Sequence, residues 1–270
     1  MTTPKMAEVL PASVIVPHGT VERGARHWSH DYVVMVRWHL ADLRIWLMTL
    51  TAVQLLSGVG FVLGISLFFT HIPMTAALFV STGVPVINLL MVGMILGPQL
   101  VADQRSSGSY EYLRSMPVSR SVTGAAWYTV CLIGGVPAMI VSLGVARLRY
   151  DLPLHVSPMI VPAVLLTSFA GTMLGYAIGH AIGNPMATRL ITQLLVFVVF
   201  GFAPVMFPLS QMPRWLGAVN WWLPFRHMAV VMRSALTPGV HTAVMSGYVV
   251  LCVWAVVCAA LAGRALGRRP

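Results

Sequence analysis

Acidic side chains are scarce: the 270 residues hold seven Asp and Glu, and none follows Asp151. Lysine is scarcer still, with Lys5 alone, and charged residues make up 9% of the chain, against roughly a quarter in ordinary soluble domains. Each shortage excludes something. No carboxylate lies in any of the long apolar runs, so the membrane-embedded acids that mark ion-driven carriers are missing. No GxxxxGK[ST] loop occurs, so if nucleotide energy is used, another chain binds the nucleotide. The three cysteines, Cys131, Cys252 and Cys258, fall inside apolar runs without metal or disulfide spacing and read as small buried residues. No HxxxH or HExxH occurs; His27 and His30 share a helix face but lack a third ligand. Ser142 and Ser168 lie in apolar runs away from any His–Asp pair, which leaves no hydrolytic site. The chain therefore does not read as an enzyme.

What is abundant is hydrocarbon, at 57% of residues. Crossing a ~30 Å bilayer core takes about 20 apolar residues in a helix, because no water is present to satisfy an open backbone. Six segments qualify without an internal charge: Ile45–Phe69, Ala76–Pro98, Val122–Ala146, Met159–His180, Leu190–Pro208 and Val244–Gly263. The expectation is an all-α integral membrane protein with a six-span domain over 45–264.

Basic residues near span ends are retained on the cytoplasmic side. With the N-terminus inside, the inner segments hold twelve of the seventeen Lys and Arg, and the outer ones keep Arg147, Arg149, Arg214, Arg226 and Arg233. The balance puts both termini in the cytoplasm of a plasma-membrane protein, with the Arg147 and Arg149 pair as an exception. The net charge of +10 flanks spans instead of forming one basic face, which argues against nucleic acid as a partner.

Outside the spans, residues 1–23 read as a disordered cytoplasmic tail with no secretory signal, and 265–270 as a basic tail. From 24 to 44, Trp28, Tyr32, Met35 and Val36 recur near helical spacing, opposite a stripe of His30, Arg37 and Arg44. That pattern predicts an amphipathic helix lying in the membrane interface, the alternative being a cytoplasmic extension of the first span. Gly171, Gly175 and Gly179 form overlapping small-xxx-small repeats that let helices approach closely in lipid. Gln54, Asn88 and Gln193 are the carboxamide side chains inside spans; with Phe197 they are the candidate substrate path, and interhelical hydrogen bonding is their plainer role.

Two interior segments exceed what a turn requires. Between spans two and three, Asp103, Gln104, Arg105 and Ser106 precede a run from Tyr110 to Met116 that Pro117 stops. Tyr110, Leu113 and Met116 form a small apolar face beside Glu111 and Arg114, shaped either for a helix-in-groove contact with a soluble partner or as a solvated turn. Between spans five and six, Pro213, Trp215, Trp221, Trp222 and Pro224 introduce a stretch where Phe225, Met228, Ala229, Met232 and Leu236 share a face. Tryptophan favours the headgroup zone, so this segment predicts short helices at the outer leaflet, with Arg226 and Arg233 on the wetter side.

Taken together, these features resemble the type-2 permease family of ABC exporters, the group of daunorubicin- and polyketide-type drug exporters. Asp103, Arg105, Gly108, Glu111, Leu113 and the intact Pro117-Val118-Ser119-Arg120 occupy that family's loop pattern, although Ser109-Tyr110 replaces its small-plus-leucine pair. Gly201-Phe202-Ala203-Pro204, Phe207-Pro208-Leu209, Pro213-Arg214-Trp215-Leu216 and Leu223-Pro224-Phe225 follow its order after span five, over about residues 25–265 in all. The resemblance implies a dimerising transmembrane subunit, as homodimer or heterodimer, whose residues 103–117 couple to two ATP-binding subunits carrying the ATP and Mg; no cofactor is expected on this chain. It implies export of a hydrophobic or amphipathic compound, such as a drug, lipid or secondary metabolite, and so drug efflux and antibiotic resistance. An ion-coupled carrier and a non-transporting membrane scaffold are the competing readings.

Overall fold

A computed structural model describes residues 25–68, 73–110, 118–237 and 244–267. Among these the chain forms nine α-helices and no strand: α1 Ala25–Asp42, α2 Arg44–Phe68, α3 Met74–Ser106, α4 Arg120–Tyr150, α5 Ile160–Ala181, α6 Pro185–Phe202, α7 Arg214–Trp222, α8 Pro224–Leu236 and α9 Val244–Gly267. Six of them, α2 to α6 and α9, are long and apolar enough to cross a membrane. The protein is an all-α, multi-pass membrane protein. One end of the bundle gathers the start of α2, the end of α3, the start of α4, the α5–α6 connection and the end of α9. It is called here the basic end; the opposite, tryptophan-rich end carries α7.

The central element is α3, which packs against α2, α4, α5, α6 and α8 and has 83% of its most apolar window buried, against 22% for α2, α6 and α9. Burial of hydrocarbon cannot hold such a helix in lipid, since acyl chains are as apolar as leucine; close backbone approach can. The glycines supply it. A Cβ on Gly93 would lie 2.5 Å from the Thr172 nitrogen, and one on Gly179 3.0 Å from Pro98 Cα. A Cβ on Gly175 would collide with the Gly93 carbonyl oxygen. Around this seam Leu89, Leu90, Met94, Leu96 and Trp127 are fully buried. Asn88 donates to the Ala138 carbonyl (3.2 Å) and the Ser142 hydroxyl (3.1 Å), fastening α3 to α4.

Helix limits differ from the apolar runs. α3 continues through Pro98 to Ser106, so Asp103, Gln104, Arg105 and Ser106 form its last turns, and a turn at Ser107 and Gly108 separates them from helical Ser109 and Tyr110. Proline is tolerated there because neighbouring helices can satisfy the freed backbone groups of a membrane-buried segment. α4 likewise runs to Tyr150. Arg149 Nε donates to Ser66 Oγ (3.0 Å) and the Tyr150 hydroxyl to the Val62 carbonyl (2.7 Å), tying α4 to α2 and giving Arg149 a structural role. α6 stops at Phe202, short of Pro208, and residues 203–206 turn into the bundle; Val205 O sits 2.6 Å from where a Gly83 Cβ would be.

The prediction is a contrast between two glycines. Gly175→Ala forces α3 and α5 apart and destabilises by about 1–3 kcal/mol, the usual cost of overpacking. Gly144→Ala, at a helical site with nothing within 4 Å of the new Cβ, stabilises by up to ~1 kcal/mol through helix propensity. Thermal unfolding in detergent should show a lower midpoint for the first and an unchanged or higher one for the second.

Candidate functional site

At the basic end, the last turns of α3 are locked to the α5–α6 connection. Asn184 caps α6, its side chain accepting from the Met186 and Ala187 nitrogens (2.9 and 3.2 Å), with Pro185 at the first helical position. That cap turns the chain sharply and leaves the final carbonyls of α5 facing α3. Arg105 fills the gap: its guanidinium donates to the Ile182 carbonyl, to His180 O at 3.2 Å and to the Tyr110 hydroxyl at 3.4 Å. A cation at a helix C-terminus is favoured by the helix dipole. The same guanidinium lies 4.6 Å from the Tyr110 ring centroid, and Tyr110 and Tyr176 flank the His180 ring at 5.9 and 4.1 Å. Two residues before Arg105, Asp103 pairs with Arg189 on α6. Both of those side chains are about half exposed, so the pair contributes roughly 0–1 kcal/mol and acts chiefly to set position. Of the proposed coupling residues, Asp103, Arg105 and Tyr110 thus meet in one polar joint, whereas Glu111, Leu113, Arg114, Met116 and Pro117 lie outside the described residues.

Beside this joint, α1 lies against α4, with only Leu43 separating it from α2. Trp28 Nε1 donates to Ser121 Oγ (3.1 Å), and the Tyr32 and Thr129 hydroxyls are 2.6 Å apart. Met35, His39 and Leu43 are buried, while Val33, Val34 and Trp38 are exposed. Neither ring nitrogen of His39 has a partner among the described residues, nor does Trp127 Nε1, whose ring His39 meets edge-on at 5.4 Å. Burial pushes His39 down to about 4, because a dry apolar site disfavours the imidazolium.

At the tryptophan-rich end the outer helices sit deeper than their amphipathic pattern predicts. α8 is enclosed along most of its length by α3, α5 and α9. Arg233 is turned inward, correcting its expected place on the wetter side: it donates to Thr82 Oγ1 (3.1 Å) and Val205 O (3.0 Å) and stacks 3.8 Å above Phe79. Exposed backbone explains the inversion, since the break after Phe202 frees carbonyls that need a donor inside the bundle. Segment 152–157 closes the end of α8, with His155 N and Ser157 N each 2.9 Å from Leu236 O and Ala235 O. Trp215, Trp221 and Trp222 stay exposed, and Arg226 covers the Trp221 ring at 4.1 Å. Of the candidate path residues, Gln54 and Asn88 are buried within the bundle, while Gln193 and Phe197 are exposed on α6.

Residues 74–264 match the model of the ABC-2 family transporter proteins. The chain belongs to that family. The match spans α3 to most of α9, including both ends just described, and makes the chain the membrane component of a transporter whose family works with an ATP-binding ABC subunit. No curated protein matches the permease. Sequence reasoning passed over Arg189 and His39 in the permease, because an arginine flanking a span and a histidine on a surface helix are both ordinary. The Asn184-Pro185 cap signal, which aims Arg189 back at α3, was the available clue to the first.

Two outcomes follow. Arg105→Ala leaves the α5 carbonyls without a donor and costs about 1–3 kcal/mol locally; amide hydrogen exchange should quicken across residues 180–189 with the tryptophan-rich end unchanged, and Arg105→Lys should restore it only in part. For His39 the folded-state value lies below the unfolded one, so its neutral form contributes full stability above about pH 6.5, and stability falls as pH drops toward 4. The full loss is about 3 kcal/mol. Exchange in α1 should accelerate between pH 6.5 and 4.5 in the native permease and lose that dependence in His39→Phe.

Proposed function

We propose that the permease is the membrane subunit of an ATP-driven exporter that carries a hydrophobic or amphipathic compound, a drug, lipid or secondary metabolite, out of the cell. The observation that carries this reading is the joint at the basic end. A segment leading into residues 111–117 is clamped by Arg105, Tyr110 and Asp103 to the α5–α6 connection, so force applied to the segment reaches two spans besides α3.

In this reading both termini and the 103–117 region face the cytoplasm, and two ATP-binding subunits, which hold the ATP and Mg, dock against that region in a permease dimer. Closure of those subunits moves the end of α3 together with the ends of α5 and α6, and α1 with α4. Substrate leaves at the tryptophan-rich end, where exposed indoles favour the headgroup zone. The lack of carboxylates in the spans supports ATP over an ion gradient as the energy source.

The test is Glu111→Ala combined with Leu113→Asp in the assembled transporter. Insertion and thermal midpoint should stay native while transport, and substrate stimulation of ATP hydrolysis, fall at least tenfold. Native transport in the double variant contradicts the docking assignment.

A further inference from the structure

Past the break after α6, residues 209–212 fold against α7 and leave an open groove of about 460 Å³. Its floor is one stripe of α7: Arg214, Gly217, Ala218 and Trp221 stand at i, i+3, i+4 and i+7 and share a helix face. The small pair in the middle keeps that floor low, and a Cβ on Gly217 would meet nothing nearer than Leu209 at 3.9 Å. Leu209 and Met212 add apolar wall, and Ser210 adds a hydroxyl. Arg214 stands exposed at one end of the stripe. About 10 Å along the helix from it, Trp221 forms the other end, with the Arg226 guanidinium 4.1 Å from its ring centroid. Neither arginine has a carboxylate partner among the described residues. The charge here has one sign. Arg149 and Arg233 are bonded to Ser66 and Thr82, which leaves Arg147, Arg214 and Arg226 against Asp151 among the described residues of the tryptophan-rich end.

We propose that this groove binds the headgroup region of an anionic phospholipid, its phosphate paired with Arg214 and its glycerol and first acyl carbons lying along Gly217, Ala218 and Trp221. The inference goes beyond the exporter reading and uses it only to name the outer leaflet as the source of the lipid. Each part of the lining selects something. The planar fork of Arg214 matches a phosphate, which it can grip with two parallel N–H groups, and the Ser210 hydroxyl is a further donor in the same groove. A zwitterionic headgroup adds an ammonium, for which the groove has no acidic side chain, so charge complementarity favours a net anion. A small water-soluble anion would satisfy Arg214 and leave the Leu209 and Met212 wall unused. Exposed Trp215, Trp221 and Trp222 set this end of the bundle at headgroup depth, where lipid phosphate is the anion at hand. The volume lies within the ~300–1,000 Å³ range of small-molecule pockets, enough for a headgroup with its chains left in the bilayer.

The test is native mass spectrometry of the full-length chain in non-ionic detergent, titrated with phosphatidylglycerol or with phosphatidylcholine of the same acyl chains. Phosphatidylglycerol should bind about fivefold more tightly, the scale of one exposed ion pair. Arg214→Gln should remove that preference. Arg147→Gln, which deletes the same charge from another exposed arginine at this end, should keep it. Ala218→Phe, at an exposed position of the floor, should fill the groove and abolish the preference without touching a charge, which keeps the test decisive if Arg214→Gln lowers the thermal midpoint. Equal binding of the two lipids overturns the proposal, as does an equal loss in Arg147→Gln, which would mean diffuse attraction. Displacement of the lipid by an equal concentration of glycerol phosphate would also overturn it, since the site would then hold a free anion. Because ATP plays no part in the measurement, loss of the lipid preference with ATP-driven transport intact rejects this proposal alone. An intact preference without an ATPase partner rejects the exporter reading alone.

Discussion

The backbone contact between α3 and α5 is the constraint on which the rest of the molecule depends. Gly93 and Gly175 bring two helices so close that no side chain fits between them, and that proximity buries α3 among five neighbours. In lipid, little other than packing and hydrogen bonding can favour one arrangement of apolar helices over another. With α3 seated there, both of its ends acquire partners: Arg105 reaches the α5–α6 connection and Asp103 the start of α6, while Gly83 receives Val205 from the break after α6 and Thr82 receives Arg233 from α8. A single 33-residue helix thereby joins the basic end to the tryptophan-rich end.

In a chain so poor in charge, three arginines hold the bundle together, each in a different way. Arg105 satisfies the carbonyls ending α5, Arg149 holds α2, and Arg233 binds a carbonyl inside the bundle. Arginine suits these positions because its planar fork serves more than one acceptor while its charge is comparatively weakly hydrated. The carboxylate of Asp103 stands on the exposed side of the joint with Arg189, where a partner protein can reach it.

Spans were legible in the sequence because their requirement is additive: about 20 apolar residues in a row, wherever they pack. Their ends were not. Pro98 ends a helix in water and not in a bundle, so α3 runs on and turns Asp103 and Arg105 from loop residues into helix residues. The six-span reading and the resemblance to type-2 ABC permeases hold. The amphipathic face of Phe225, Met228 and Met232 correctly marked a helix, but its period cannot distinguish a face turned to lipid from one turned to α3 and α5, and Arg233 was placed on the wrong side as a result. The joint itself was half visible: Asp103, Arg105 and Tyr110 stood out as polar residues in an apolar chain, while Arg189 had only the Asn184-Pro185 cap as a clue and the α5 carbonyls are long-range partners that no local pattern encodes.

The account stands or falls on whether ATP binding elsewhere drives this bundle. The direct measurement is purification of the permease after co-expression with its genomic neighbours, followed by transport of an amphipathic dye in proteoliposomes. The account predicts that an ATP-binding subunit purifies with the chain and that dye moves only with hydrolysable ATP and Mg. A permease that purifies alone and transports the dye on a proton or sodium gradient would contradict it.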